Sequence, residues 1–228
     1  MSTAPRPIRI ARSVLLHPLL PPPRPRRLVQ LYAGLSAFGL GCALLISSRL
    51  GAMPWDVLHQ GLALHTGLSV GACSILTAGA VMLLWAPLRQ RVGLGTVSNA
   101  VVVGLAVDAS LWVLPEVEGL AARWAVLVAG ILLTGLATGA YIGARLGPGP
   151  RDGLMVGLAA RTRLSVRTAR TAIEVAVVAA GALLGGTVGV GTLLFAVAIG
   201  PLAQRALPLL SIGGPEPAEA GSGPHERR

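Results

Sequence analysis

The hydrophobic positions of this chain form long apolar runs, separated by short segments that are rich in Arg, Gly and Pro. Six runs are roughly 20 residues long, which is the length that a helix needs to cross a hydrocarbon core of about 30 Å. The pattern therefore predicts an all-α fold, a polytopic helical membrane protein with six spans. These spans cover residues 28–48, 70–87, 95–114, 123–144, 170–186 and 190–210.

Two shorter segments, near residues 54–66 and 150–162, begin with Pro and carry polar residues. A helix of this size is only about 18 Å long, which is too short to cross the bilayer. We therefore predict two half-helices, and the sequence leaves open whether they are re-entrant or interfacial.

One eight-residue motif, Arg-Leu-Gly-x-x-Pro-x-Asp, occurs twice, at residues 49–56 and, 96 residues later, at 145–152. The register holds without a gap on both sides, and roughly 30 of about 78 paired positions are identical, which indicates a duplication. Each copy contains three predicted spans, an odd number, so the second copy should enter the membrane from the opposite side. Such inverted repeats are a recurrent plan of secondary transporters. We predict repeat 1 at 28–114, an external loop at 115–122 and repeat 2 at 123–210.

Composition and charge support a membrane location. The chain is 53% hydrophobic and 12% charged, its mean hydropathy is +0.70, and its net charge is +10. All basic residues are Arg, which we interpret as the coding bias of a GC-rich bacterium. They lie at the ends of apolar runs without interleaved aromatic residues, which argues against a nucleic-acid partner. Placing both termini in the cytoplasm leaves only Arg49 and Arg123 outside, as the positive-inside rule favours. The predicted location is the bacterial cytoplasmic (inner) membrane.

The two ends of the chain differ from the apolar centre. Residues 1–27 form an Arg/Pro-rich cytoplasmic arm that lacks a signal-peptide cleavage site. Such an arm suits contact with anionic lipid or with a protein partner. Residues 211–228 are rich in Gly, Pro and Glu, and we predict a disordered cytoplasmic tail.

The repeated motif combines residues that end one helix and begin another. Its Gly allows a sharp turn, its Pro suits the first position of a helix, and its Asp favours the positive end of the helix dipole. The predicted turn residues are Gly51, Pro54, Gly147 and Pro150. In one interpretation the two helix starts face a shared midplane site for a small solute with an anionic group. In the other, Asp caps its own helix and Arg pairs with it, and the motif is purely structural. The candidate site residues are Arg49, Asp56, Asp108, Arg145, Arg151, Asp152 and Glu174.

Two of these acids lie within predicted spans. Asp108 is either functional or paired with Arg49, and its counterpart in the second repeat is Gln204, so it is not part of the symmetric core. Glu174 follows Arg170 by one helical turn, a spacing that favours an i,i+4 ion pair at the membrane interface.

No enzyme signature is evident. His59 and His65 are six residues apart, which is not a metal-binding spacing, and Cys42 and Cys73 both fall inside predicted spans as small packing residues. The chain has no phosphate-binding loop. We therefore expect no enzymatic activity, no cofactor and no metal site.

Several short runs resemble a known family. Gly149-Pro150-Arg151-Asp152-Gly153-Leu154-Met155 and Gly189-Val190-Gly191-Thr192 are similar to the second half of the YczE-type (YczE/YyaS/YitT-like) bacterial integral membrane proteins. The resemblance covers about residues 27–210. It implies a cytoplasmic-membrane protein of poorly defined function, and it supplies no catalytic or ligand residues.

Two functional hypotheses follow. The first is a small transporter or permease-like protein with a midplane site. The second is a membrane scaffold or assembly factor that moves nothing, in which the motif only shapes the fold and the arm binds a partner. The substrate, any coupling ion and the oligomeric state cannot be predicted from the sequence.

Overall fold

The computed structural model of the protein describes residues 23–212, and its regular structure over that range is entirely helical. The helices are α1 (Arg24–Ser48), α2 (Pro54–Thr66), α3 (Val70–Leu83), α4 (Trp85–Leu88), α5 (Leu94–Val113), α6 (Leu120–Gly143), α7 (Pro150–Arg161), α8 (Val166–Leu183) and α9 (Val190–Leu210). The predictions for residues 1–22 of the arm and 213–228 of the tail lie outside the described residues.

Five helices are long and apolar enough to cross a membrane, which confirms the predicted class of helical membrane protein. They are α1, α3 with its continuation through α4, α5, α6 and α9. The remaining predicted span corresponds to α8, which has 18 residues and is not among the five. It carries Arg167, Arg170 and Glu174, and these charges lower its hydropathy.

The first helix begins earlier than expected. We predicted an arm up to residue 27, whereas α1 starts at Arg24 because Pro25 is tolerated in the first helical turn. Arg27 is buried, and its guanidinium donates a 2.8 Å hydrogen bond to the carbonyl oxygen of Ala144. A basic side chain thus satisfies a carbonyl group just beyond the end of α6.

The second predicted span, at 70–87, is interrupted. α3 ends at Leu83, and the chain turns through Leu84 into the single-turn helix α4. Trp85 is buried there, and its indole Nε1–H donates a 3.0 Å hydrogen bond to the carbonyl oxygen of Pro150. The end of this span is therefore fixed to the start of α7.

The centre of the fold is the crossing of α1 and α6, the first helices of the two sequence repeats. Small residues bring the backbones together: Gly34 lies against the backbone of Tyr141, and Gly130 lies against Gly41 and Leu45. Because 34 pairs with 130 and 45 with 141 in the duplication, these two contacts are equivalent. α5 packs on α1 as α9 packs on α6.

Each copy of the motif is hydrogen-bonded to the start of the last helix in the other repeat. The carbonyl oxygen of Leu50 accepts a 2.8 Å hydrogen bond from the N–H of Gly191, at the start of α9. Equivalently, the carbonyl oxygen of Leu146 accepts a 2.7 Å bond from the N–H of Gly95, at the start of α5. The two copies are therefore joined reciprocally at the motifs.

The backbone of the two turns is also the same. Arg49 and Arg145 both adopt φ 54°, while Gly51 and Gly147 adopt φ 122° and 120°. Side chains rarely accept the φ of the two glycines, which explains why this position is Gly in both copies.

The copies differ in how their middle helices pack. α3 lies along α5, and Gly71 and Gly104 meet there with Asp108 beside them. The equivalent helices α8 and α9 have almost no mutual contact, and α8 packs mainly on α2. A Cβ atom at Gly200, the counterpart of Gly104, would meet nothing within 4 Å.

Candidate functional site

A cavity of about 90 Å³ lies where the first turns of the two half-helices α2 and α7 converge. It has room for several water molecules or for one small polar group. The half-helices contribute Met53, Pro54 and Trp55 from one side, and Gly149, Arg151, Asp152 and Met155 from the other. The remaining wall is formed by side chains of α1, α5, α6, α8 and α9.

Both half-helices begin in the same way at this cavity. Each has Pro at its first position and Asp in its first turn, and no side chain caps either start. Uncapped helix starts present backbone N–H groups and the positive end of the helix dipole. Two such ends therefore meet at one cavity.

Arg151 and Trp55 occupy the same position of the motif in the two copies, and they contact each other. The guanidinium carbon of Arg151 lies 5.3 Å from the centroid of the Trp55 ring, a cation–π arrangement. None of the ion pairs found between residues 23 and 212 involves Arg151, which is half-buried. Its charge is therefore held by an aromatic face rather than by an acid.

Trp55 itself is only 5% exposed, and its Nε1–H has no hydrogen-bond partner within the described part of the chain. A buried donor without a partner costs on the order of 1–3 kcal/mol. An acceptor atom of a bound molecule would remove this cost.

Asp152 is held by a tyrosine. The hydroxyl of Tyr141 donates a 2.9 Å hydrogen bond to Oδ2 of Asp152, and both side chains line the cavity. The Tyr141 ring is in turn positioned by Phe38, with ring centroids 5.9 Å apart and an interplanar angle of 87°. Asp152 therefore lies in a polar environment that remains accessible from the cavity.

Arg170 and Glu174 form the predicted i,i+4 ion pair, with 2.9 Å between Nε and Oε1. Both residues also line the cavity, on its α8 side. The prediction of the pair is confirmed, and the pair faces the same space as Asp152.

Asp56, the counterpart of Asp152, does not line the cavity. It is 1% exposed, and its Oδ1 lies 3.1 Å from Nδ1 of His59, which is also 1% exposed. Its Oδ2 lacks a hydrogen-bond partner among residues 23–212. The carboxylate of the first motif copy is therefore buried in the protein, whereas that of the second copy lines the cavity.

Three further candidates lie away from the cavity. Arg49 pairs with Glu116 at 3.5 Å, and both side chains are exposed. Asp108 accepts a 2.5 Å hydrogen bond from Ser69 Oγ and a 2.8 Å bond from the Gly71 N–H. The alternative in which Asp108 pairs with Arg49 is therefore wrong, because this acid caps the start of α3. Arg145 is not part of the cavity wall either.

Trp55, Tyr141 and Asn99 also line the cavity, and the sequence did not predict them as site residues. The position of Trp55 could have been noticed in the sequence, because it lies inside the repeated motif and corresponds to Arg151, which was a candidate site residue. Tyr141 had no such signal, since a tyrosine near a helix end has many structural roles. Across residues 23–212, no three His, Cys, Asp or Glu side chains are grouped so that they could hold a metal ion.

The apolar helices define an integral membrane protein, and charged, aromatic and apolar side chains line its internal cavity. Residues 25–207 match the model of a family of unknown function, DUF6198, and the chain belongs to this family. The resemblance inferred from the sequence is confirmed, because YczE and YyaS are among the relatives.

Three relatives show how far the similarity extends. An uncharacterized protein of Haemophilus influenzae is 44% identical over 177 residues, which cover 78% of this chain and 81% of the relative. The uncharacterized membrane protein YczE of Bacillus subtilis is 34% identical, with 78% and 83% covered. The uncharacterized protein YyaS of the same organism is 27% identical, with 78% and 90% covered. No solved structure matches the chain significantly.

Proposed function

We propose that the protein is a transporter or permease-like protein that binds a small solute through an anionic group at the cavity between α2 and α7. The observation that carries this proposal is the stacked pair of Arg151 and Trp55. It supplies an unpaired cation and an unpartnered buried N–H at the point where two helix starts meet.

The charges around the cavity favour an anionic group near Arg151. Arg170 and Glu174 compensate each other, and Asp152, which keeps its negative charge, accepts a hydrogen bond from the Tyr141 hydroxyl. Arg151 and the positive ends of α2 and α7 are the remaining groups that favour an anionic group of a solute. Helix starts that converge on one site are a recurrent device for binding anionic substrate groups in transporters.

The proposal includes six spans arranged as two inverted repeats. α8, with its 18 residues, is about 27 Å long and would cross most of the hydrocarbon core. Its ion pair between Arg170 and Glu174 would face the cavity rather than lipid, which reduces the cost of crossing. Both termini would then be cytoplasmic, in the inner membrane of a bacterium.

Reporter fusions test this topology. Six spans require a fusion after residue 163 to report the cytoplasm, one after residue 187 the outside, and one after residue 228 the cytoplasm again. A fusion after residue 187 that reports the cytoplasm would show that α8 does not cross, and the inverted repeat would be excluded.

Transport is tested with purified protein in proteoliposomes and a panel of small carboxylates, phosphates and sulfonates. For any anion that is taken up, we expect Arg151→Gln to reduce uptake at least about tenfold, which corresponds to about 1.4 kcal/mol of lost interaction. The matched control is Arg49→Gln, which removes the exposed motif arginine outside the cavity and should leave uptake unchanged.

Two outcomes count against the proposal. Equal loss of uptake in both variants would mean that the arginines act through the fold. The absence of uptake and of any thermal shift with all anions would favour the scaffold alternative, which would then be tested by deleting residues 1–22.

A further inference from the structure

We propose that the solute is an amphipathic molecule, whose anionic head group occupies the cavity and whose apolar chain leaves it sideways, between α8 and α9, into the lipid. This inference rests on the proposed binding site and names the class of solute that it accepts.

The first observation is the difference between two equivalent helix pairs. In the first repeat, α3 and α5 close against each other at Gly71 and Gly104, and Asp108 joins them through hydrogen bonds to Ser69 Oγ and the Gly71 N–H. Of Gly71, Gly104 and Asp108, only the glycine at 104 is retained in the second repeat. Their counterparts are Arg167, Gly200 and Gln204.

The second observation is that residues of both α8 and α9 line the cavity. Its wall includes Arg170 and Glu174 from α8 and Phe195, Ile199 and Ala203 from α9, although these two helices barely touch. The space beside Gly200 is empty for a Cβ atom. We therefore expect the cavity to open between α8 and α9 at the side of the helix bundle, where lipid surrounds a membrane protein.

The third observation is the chemistry along this route. The inner end carries Arg151 and the Nε1–H of Trp55, which bind a head group. The residues of α9 that line the cavity, Phe195, Ile199 and Ala203, are apolar. Val175 of α8 and Val197 of α9 are 63% and 77% accessible. A polar inner end and an apolar outlet match a molecule with one charged end and one hydrocarbon chain.

The volume points in the same direction. About 90 Å³ accommodates a carboxylate or phosphate group but no long chain. A larger solute must therefore extend out of the cavity, and the gap beside Gly200 gives it room.

The test compares monoalkyl phosphates with methyl, hexyl and dodecyl chains, bound to protein in nanodiscs of zwitterionic lipid. Burying one methylene group favours binding by about fourfold. We therefore expect hexyl phosphate to bind wild type at least about tenfold more tightly than methyl phosphate, with a further gain for the dodecyl chain.

Two variants fill the gap without touching the head-group site. Gly200→Leu places a side chain in the empty space, and Thr171→Trp adds a large side chain at an exposed position of α8, the sequence counterpart of Ile75, which lies beside Gly104. Both should bind methyl phosphate as wild type does and lose the gain from longer chains. Thr171→Trp keeps the test valid if Leu before Pro201 disturbs α9. The matched control is Gly79→Leu, a helical glycine of α3 that also has nothing within 4 Å.

The outcomes separate this inference from the proposed function. If methyl phosphate binds in an Arg151-dependent manner but chain length has the same effect in all variants, the lateral opening is wrong and the anion site stands. If methyl phosphate does not bind and Arg151→Gln changes nothing, the anion site itself is wrong. If the gap-filling variants instead convert a dimer into a monomer, a second copy of the chain covers the gap, and the inference is overturned.

Discussion

The two copies of the repeated motif share a backbone and differ in what surrounds their carboxylates. Asp56 is sealed beside His59, whereas Asp152 is held by Tyr141 and faces a cavity. The glycine turns and the reciprocal hydrogen bonds are nearly identical in both copies. The duplication therefore explains the framework of the fold, and the divergence of a few side chains explains why only one copy has an open site.

Substitution of the turn glycines should have the largest effect, and the same effect in both copies. A Cβ at Gly51 would lie 2.8 Å from the backbone nitrogen of Gly189, and one at Gly147 would lie 2.9 Å from Oγ1 of Thr96. Strain at positive φ adds to this overlap, so Gly51→Ala and Gly147→Ala should each cost about 3 kcal/mol or more.

Thermal unfolding in detergent measures this cost. The control is Gly67→Ala, where φ is 73° but the space is open, so only about 1 kcal/mol should be lost. If all three variants lose the same stability, close approach of the copies is unimportant.

Removing the partner of each carboxylate should separate the sealed copy from the open one. His59→Leu leaves Asp56 buried and unpaired, which should cost about 3 kcal/mol. Tyr141→Phe leaves Asp152 beside the cavity, where water can replace the hydroxyl, so the loss should be about 1 kcal/mol. Unfolding midpoints measure both losses. Equal losses would contradict the difference in accessibility, and His59→Gln, which retains a donor, should recover part of the lost stability.

Exchanging the stacked pair gives the smallest and most specific effect. Because Trp55 and Arg151 fill matching positions, the double variant Trp55→Arg/Arg151→Trp should rebuild the contact from the opposite copies. Trp55→Arg alone would place two guanidinium groups together. A double-mutant cycle on stability should give a coupling of about 0.5–2 kcal/mol. A coupling near zero would mean that the contact contributes nothing.

The sequence predicted the framework better than the site. The bounds of five candidate spans and of both half-helices followed from apolar length and from Pro and Gly, whose backbone restrictions are local. The break at Leu84 could not be predicted, because it depends on the burial of Trp85 against α7. Nor could the role of Asp108, since the hydrogen bonds that hold it come from residues about 37 positions away in the chain.

The candidate site shows the same limit. All seven charged candidates were chosen by residue type, and Arg151, Asp152 and Glu174 line the cavity. Arg49 and Arg145 fill the repeated first position of the motif, whereas Arg151 fills a variable one, yet only Arg151 of the three lines the cavity. Residue type and repetition locate a motif, whereas the direction of each side chain depends on tertiary packing.

The reciprocal bonds between the motifs have a consequence for biogenesis. The N–H of Gly95 donates to the carbonyl oxygen of Leu146, and the carbonyl oxygen of Leu50 accepts from the N–H of Gly191. In both bonds one partner belongs to the second repeat, which is synthesised later. Neither repeat can therefore form these hydrogen bonds within itself during synthesis. The bonds of the first repeat can form only after the second repeat has been inserted. A fragment that ends between the repeats would therefore leave the N–H of Gly95 and the carbonyl oxygen of Leu50 without these hydrogen bonds.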